Sequence, residues 1–550
     1  MMPTLLANTR RQKILFPSPS RGIDVSKDAT LLDAEYAPYI LGFEARRQRL
    51  VKDRGYKPLM NKYVSIPDED NPVVSIEDYP KLDGTVNTVI FRCKDAYKVN
   101  EALGTYEKIN DEPFTGDIDD RFSSVVMNDL LIASNGIDKI KKWNGTGLMQ
   151  DLVGATSYRA KSLAVFYNYL LLIYTIESGN LCPHRIRWSD TGNPEVWDSG
   201  NAGFVDLSDR PDFLVTSEVL GNYLYIYKER NIYRAFYVGY PAIFNFEPVI
   251  EGVGLAAAAT LVSLGNTHLF LGWDNIYEFD GRSLFPIGDP VRDMLYGVGG
   301  SLNTAYMQRS FAIYVEEFEE YWLFTPSTTD LPDHCVKFNT RERSWTKRPA
   351  VISFPSPDTK RWVDWNGYWA DETDDEDWIE RLGDRTLVTA GYWTRQQESL
   401  WQTNIQPWNE DLTRWNDRLT FAGAPLTLFG SDDGQVFVDD FALFTDDGLP
   451  VISEFQTKDF AFPGEAGTLS QTRYIRMSFV CSGVKVLVSH SLDGGQTWSE
   501  EKEYVLTSLP KRYYYNEINH TSERCRFRFR TQDNFEFYEG VVEVIPRVRA

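Results

Sequence analysis

The stretch "NYLYIYKERNIYRAFY", residues 222–237, decides how this chain folds. Asn222 is a polar turn residue that opens an unbroken aliphatic and aromatic run, Glu229-Arg230-Asn231 makes a second turn, and a second run follows with aromatics near its end. That order predicts a β-hairpin. The same order begins at Asn128 ("NDLLIASNGIDKIKKWNG"), Asn168 ("NYLLLIYT") and Asn266 ("NTHLFLGWDNIYEFDG"), with further turns at Asn135-Gly136 and Asp274-Asn275. The four starts are 40, 54 and 44 residues apart, close to the roughly 40–50 residues that a four-stranded propeller blade consumes. Weaker copies occur at 88–104, 319–345 and 426–441.

A single twisted sheet cannot bury both of its faces, whereas blades stacked around an axis cover one another. A β-solenoid would repeat with shorter and more regular rungs. The expected class is therefore all-β, a β-propeller of six or seven blades, with its main blades at 81–351 and closing strands at 425–467. An N-terminal arm or docking segment occupies 1–80. A Trp-rich insertion interrupts the blades at 352–424. From Thr468 the pattern changes to long alternating strands, "TRYIRMSFVCSGVKVLVSHSLDGGQTW" and "RCRFRFRTQDNFEFYEGVVEVIP", which predict a separate β-sandwich over 468–550.

Composition supports a large, aromatic-rich β protein. Of 550 residues, 42% are hydrophobic and 14% aromatic, including 15 Trp, 30 Tyr and 32 Phe, which excludes bulk disorder. The formal charge of −22 disfavours a protein that grips phosphates over a broad basic face, yet an acidic wall lets a polyanion slide past without sticking. Cys93, Cys182, Cys335, Cys481 and Cys525 are odd in number and lack CxxC spacing, so neither a disulfide framework nor a zinc knuckle is expected, and synthesis in a reducing compartment fits. The basic N-terminus has no apolar core before Pro17, so it is not read as a secretory signal. The small-apolar run "GLAAAATLVSLG" (254–265) is too short for a bilayer and reads as a buried strand after a glycine turn.

Two segments carry candidate interaction residues. The first, 22–59, has at most a short helix near Ala34–Leu41, then a basic cluster of Arg46, Arg47, Arg49, Lys52 and Arg54. These arginines are candidates for docking on a partner's acidic surface, against the plainer reading of a charge-blunted strand edge. The second is the insertion, which holds eight of the fifteen tryptophans around the acidic run "DETDDED" (371–377). Trp362, Trp365, Trp369 and Trp378 are candidates for a tip or ligand contact, since tryptophan at this density stacks sugars or anchors subunits. The acidic run lacks the order and the glycine of an EF-hand.

No catalytic constellation stands out. Residues 491–498, "SLDGGQTW", have the form of the Asp-box hairpin of sialidase propellers, with Asp493 accepting backbone bonds, Gly495 taking a restricted φ and Trp498 packing beneath. That motif is a structural turn. It occurs once, outside the repeat, and brings no arginine triad, Tyr nucleophile or acid with it. His184 near Cys182, and His334 beside Cys335, lack third and fourth metal ligands at recognisable spacing. No GxSxG, HExxH or GxxxxGK[ST] appears. The expectation is a non-enzymatic chain with no catalytic residues, metal or cofactor.

Four stretches in order, 22–59, "RIRWSDTGNPEVWDSGNAGFVDLSD" (185–209), the run from "NIYRAFYVGYPAIF" to "RDML" (231–295), and "LFGSDDGQVFVDDFALFTDDGLPVISEFQTKDF" (428–460), resemble β-propeller tail proteins of double-stranded DNA bacteriophages. The likeness is to the nozzle, or tail tubular protein B, type of short-tailed phages. The resemblance implies a structural virion protein, made in the host cytoplasm and residing in the viral tail. It implies a hexamer attached to an adaptor ring below the portal, framing the lumen through which genomic DNA is ejected, carrying tail fibres or spikes, and not stably inserted in a membrane. A glycan-binding or glycan-cleaving receptor protein, with the tryptophans of 362–415 as stacking platform, is the alternative. A cellular propeller scaffold is a third.

Overall fold

The computed structural model describes residues 12–58, 71–100, 105–316, 318–349, 361–362, 425–431, 436–440, 443–446, 449–461, 473–520 and 524–546. Six successive four-stranded antiparallel meanders occupy 73–108, 123–151, 158–206, 214–251, 262–286 and 311–349. A seventh sheet orders Leu428–Gly430, Val436–Asp440, Gly55–Pro58, Thr445–Asp446 and Leu449–Pro450. Its third strand thus comes from near the N-terminus, pairing antiparallel with Val436–Asp440 and parallel at Asp446↔Tyr56.

The cores between these sheets form a closed cycle. Blade one packs on blade two through Tyr79, Phe91, Leu131 and Trp143. Blade two meets three through Ile132, Leu163 and Leu170, three meets four through Leu171, Trp188, Leu224 and Phe244, and four meets five through Tyr227, Ile232 and Phe270. Leu269 and Leu271 of blade five share a core with Ala312, Tyr321 and Leu323 of blade six. Phe311 and Trp322 of blade six meet Phe429 and Phe437 of blade seven, and Leu428, Val436 and Val438 return to Val73, Ile76 and Ile90 of blade one. The propeller therefore has seven blades, within the range that the repeat predicted.

The repeat marks the second and third strands of each blade, not whole blades. Leu131, Ile132 and Ala133, like Leu170–Ile173 and Leu269–Leu271, are buried without alternation because a neighbouring blade covers each face. The turns ahead of them need left-handed backbone. Asn128 (φ 53°), Asp129 (φ 59°) and Asn168 (φ 64°) supply it in blades two and three; Gly221 and Gly265 supply it in blades four and five. The 254–265 run differs from expectation. It forms a short 3₁₀ turn, Ala258–Thr260, and only the two-residue strand Val262–Ser263, because it must bend from the edge of blade four to the inner strand of blade five.

The sandwich is larger than 468–550. One sheet orders Lys511–His520, Arg473–Gly483, Phe535–Pro546, Arg49–Lys52 and Phe43–Arg46, with Gln12–Pro17 also pairing along Phe535–Pro546. The other orders Lys502–Val505, Lys485–Ser491, Arg524–Thr531, Ser453–Gln456 and Tyr39–Leu41, and continues into blade six through the parallel pair Leu41↔Lys347. Residues 12–58 are accordingly woven into sandwich and propeller instead of standing off as an arm, because the C-terminal strands alone leave Phe537, Val542 and Phe455 uncovered. Tyr39–Leu41 is strand, and no helix forms at 34–41. The sandwich is not separate; it shares a continuous sheet with blade six.

Candidate functional site

A concave feature lies where the hairpin 43–52 leans on blade six. An open cleft of about 590 Å³ is lined by Arg46, Arg47, Arg49, Phe318, Glu319 and Arg341, among others. Three of the four candidate arginines meet there. The hairpin turns on Arg47 (φ 50°) and Gln48 (φ 61°), a left-handed pair that costs roughly 1–2 kcal/mol per non-glycine residue. The fourth candidate, Arg54, is elsewhere, with its guanidinium 4.6 Å over the Phe444 ring. Lys52 leaves the basic cluster altogether: it is fully buried, its Nζ donates to the Val451 carbonyl at 2.7 Å, and burial lowers its pKa to about 8.

Among the described residues, each cation on the cleft except Arg47 faces a carboxyl group. Arg46 Nε lies 3.3 Å from Glu44 Oε1 and its guanidinium 4.9 Å over Phe318. Arg49 Nη1 lies 3.5 Å from Glu536 Oε2, with the Tyr538 ring 4.6 Å away. Arg341 Nη1 lies 3.4 Å from Glu319 Oε2. The cleft is a mixed-charge surface, not a basic patch.

Beneath it lies a sealed charge cluster that joins hairpin, blade six and blade seven. Lys337 Nζ sits 2.5 Å from Asp53 Oδ1 and 3.4 Å from Glu320 Oε2, with side-chain exposures of 1%, 3% and 2%. Glu320 Oε2 also accepts from Trp322 Nε1 at 2.8 Å. The Arg348 guanidinium stacks 4.5 Å over the same indole and reaches Asp446 Oδ1 of blade seven at 3.8 Å. Burial alone would lower the Lys337 pKa, but the Asp53, Glu320 and Glu44 carboxyls outweigh it and raise it. Burial first, then Glu320, pushes Glu44 up to about 8. At the pH of most cells Glu44 is therefore largely a neutral acid. Sequence reading passed over these groups; the signal was a lysine inside the apolar run "HCVKFN" of blade six.

The Asp-box hairpin connects Lys485–Ser491 to Lys502–Val505 in the sandwich. Asp493 Oδ1 accepts from the backbone N–H of Gln496 at 3.0 Å and of Thr497 at 2.9 Å, and Oδ2 from Thr497 Oγ1 at 2.5 Å. These bonds, led by Thr497, hold its carboxyl far below the usual range. Gly495 (φ 93°) passes so close to Arg526 that a Cβ would stand 2.9 Å from Nη1. Trp498 is half-buried with Arg528 4.4 Å over its ring. The turn braces an arginine row, Arg524, Arg526, Arg528 and Arg530, whose members pair with Asp459, Glu501 and Glu454.

A second ionic feature concerns the propeller axis. The first strands of neighbouring blades lie against one another and so line that axis. Just before two of them, Arg309 Nε and Nη2 bind the Asp119 carboxylate at 2.6 and 2.9 Å, Nη1 binds Asp330 at 2.6 Å, and Arg121 Nη2 donates to the Arg309 carbonyl at 2.9 Å. Asp119 precedes blade two and Arg309 precedes blade six, three places apart in a ring of seven. No two blades can be farther apart, so this clasp crosses the axis at one face.

Trp362 is placed by its backbone only, in the pairs Arg361↔Leu426 and Trp362↔Pro425. Trp365, Trp369, Trp378 and the acidic run lie outside the described residues. Among the described residues His334 has no hydrogen-bond partner on either ring nitrogen, and burial lowers its pKa to about 3. Cys335 points into the core of blades six and seven. Among the described residues no three His, Cys, Asp or Glu side chains are grouped to hold a metal, and no helix is long and apolar enough to cross a membrane.

No protein-family model and no curated protein matches this sequence. Among solved structures, the chain is similar to the Neurospora crassa Pan2 WD40 domain at 7% identity and a TM-score of 0.37, covering 70% of this chain and 96% of that one. It is also similar to PorZ, a surface component of the type-IX secretion system of Porphyromonas gingivalis (11% identity, TM-score 0.31, 82% of this chain and 46% of that one). A third is a humanized Chaetomium thermophilum Polycomb Repressive Complex 2 chain (13% identity, TM-score 0.33, 53% of this chain and 72% of that one). At these scores the likeness carries no functional argument. The propeller assignment rests on the closed cycle of seven sheets.

Proposed function

We propose that this protein is a non-enzymatic structural component of a short-tailed phage tail, a nozzle-type subunit that assembles as a ring, seats against an adaptor, carries fibres or spikes and lets DNA pass. One observation supports the reading above others. Two of the segments that bear the resemblance, 22–59 and 428–460, supply the strands that weave propeller and sandwich together: Tyr39–Leu41, Phe43–Arg46, Arg49–Lys52, Gly55–Pro58, Val436–Asp440 and Ser453–Gln456. The likeness thus falls on what sets this chain apart from a plain propeller. In this reading the lumen lies between copies, since Arg309 bridges the propeller's own axis. The net charge of −22 suits a wall along which DNA slides. The arginine cleft at 46–49 is the adaptor-facing candidate.

The test is negative-stain microscopy and light scattering of the purified protein with its cognate adaptor ring. Rings with sixfold views are expected; a chain that stays monomeric with the adaptor present would sink the proposal. A glycan-recognition reading has one observation in its favour: the half-exposed Tyr167 and Tyr237 rings stack at 5.1 Å, and Tyr240, in the turn of the same hairpin as Tyr237, is 85% exposed. A glycan array on the monomer, with Tyr237→Ala and Trp365→Ala variants, separates the two.

A further inference from the structure

Lys52, Lys228 and Lys337 are all sealed from solvent, but they are held in different ways. Lys52 Nζ donates to the Val451 carbonyl at 2.7 Å. Lys228 Nζ donates to the Leu207 and Arg210 carbonyls at 3.0 and 3.1 Å and faces Asp212, whose carboxyl also accepts from Asn231 Nδ2 and the Arg230 N–H. Backbone carbonyls of this kind suit an ammonium that stays charged for good. Lys337 has none among the described residues. Its Nζ meets carboxyl groups alone, Asp53 Oδ1 at 2.5 Å and Glu320 Oε2 at 3.4 Å.

The carboxyls around Lys337 are unequal. Asp53 Oδ2 is buried and has no hydrogen-bond partner among the described residues, whereas Glu320 is oriented by the Trp322 indole N–H at 2.8 Å. An ammonium enclosed by carboxyls can pass a proton to one of them, and the resulting neutral amine and neutral acid sit in a dry site at less cost than two charges. The surrounding acids keep that proton in the pocket; it has only to cross to a neighbour. Burial of this kind turns a lysine into a nucleophile. Both reactants are fixed by backbone: the Asp53 N–H donates to the Gly42 carbonyl at 3.0 Å, and Lys337 pairs with Trp322 and Thr346 inside blade six. Well-oriented groups held in this way reach effective molarities of roughly 10⁵–10⁸ M.

We propose that Lys337 and Asp53 condense to a side-chain amide that ties the hairpin 43–52 covalently to blade six, with Glu320 as the catalytic base and acid. The inference stands independently of the nozzle reading. One proton passes from Nζ to the Asp53 carboxylate, which leaves an amine beside a carboxylic acid. The Nζ lone pair forms the bond to Asp53 Cγ. Glu320 takes a second proton from Nζ and hands it to the hydroxyl, the C–O bond breaks, and one water leaves. Nitrogen keeps its third hydrogen as the amide N–H, and Glu320 ends as it began. Oδ2, which nothing holds, is the oxygen that the reaction removes. The bond would join positions 284 residues apart, a long covalent loop of the kind that restricts the unfolded chain.

The experiment is mass spectrometry of the purified full chain, first intact under denaturing conditions and then as a proteolytic digest. Wild type, folded and held at neutral pH, should be lighter than its sequence by one water. Its digest should contain a branched peptide that joins Asp53 to Lys337, with the two linear peptides depleted. Glu320→Gln keeps both reactants and an acceptor for the Trp322 indole, and should form the branched peptide at least ~100-fold more slowly, the usual contribution of a positioned acid–base group. The wild-type measurement requires no variant to fold. Wild type at full mass with both linear peptides intact overturns the bond. So does a water lost within a single linear peptide, or a branch that maps to Glu320 in place of Asp53. A Glu320→Gln chain that branches as fast as wild type overturns the role of Glu320.

Discussion

Lys337, Asp53, Glu320 and Glu44 show why single residues matter at a seam. Replacing Lys337 with Met leaves Asp53 and Glu320 buried without a cation, and removing one member of such a buried pair typically costs ~3–5 kcal/mol. Thermal denaturation should show a large drop, and Asp53→Asn should show a similar one. Glu44 predicts a pH dependence. Its folded pKa is raised to about 8 from the ordinary 4.5, so between those values the folded chain holds a proton that the unfolded chain has released. Its contribution to stability is therefore full below about 4.5 and lost as pH rises toward 8. Glu44→Gln, which stays neutral, should unfold at a temperature close to wild type at pH 5 and progressively above it toward pH 8. A wild-type-minus-variant difference that does not change with pH would contradict this assignment.

Among the elements, the strand Gln12–Pro17 depends on one glycine. Phe16 pairs with Gly540 across the sheet edge, and a Cβ at 540 would stand 2.0 Å from Phe16 Cζ. The phenyl ring occupies the space that the missing side chain leaves and stacks toward Phe537 at 6.0 Å. Gly540→Ala should displace the strand at roughly 1–3 kcal/mol, the usual cost of overpacking, with faster amide exchange along 12–17 while the blades keep their protection. The turns ahead of the second strands obey a simpler rule. Asn128 and Asn168 could be picked out in the sequence because left-handed backbone admits few residue types, whereas in blades four and five the reading fell on Asn222 and Asn266, one residue past the left-handed Gly221 and Gly265.

In the whole molecule, Arg361–Trp362 pairs with Pro425–Leu426. Positions 362 and 425 are therefore close enough to be joined by a short turn. Replacing 363–424 with a short glycine-containing turn should leave the propeller folded, with far-UV circular dichroism and melting temperature near wild type. Aggregation or a non-cooperative melt would show that the blades depend on it.

The sequence by itself determined the repeating hairpin, because middle strands covered on both faces must be continuously apolar and their turns must carry Asn, Asp or Gly. It also determined the alternating strands of the C-terminal region, where one face meets the core and the other meets solvent, as in "RCRFRFR". It placed Arg46, Arg47 and Arg49 in one cluster. Only the tertiary structure decided that Gly55–Pro58 closes the seventh blade, that Tyr39–Leu41 fuses sandwich to propeller, that Lys337 finds Asp53, and that Arg309 reaches Asp119 across the axis. Local pattern reports which faces of a segment are covered. It carries no record of which distant strand or charge does the covering, since that is settled by the closure of the ring.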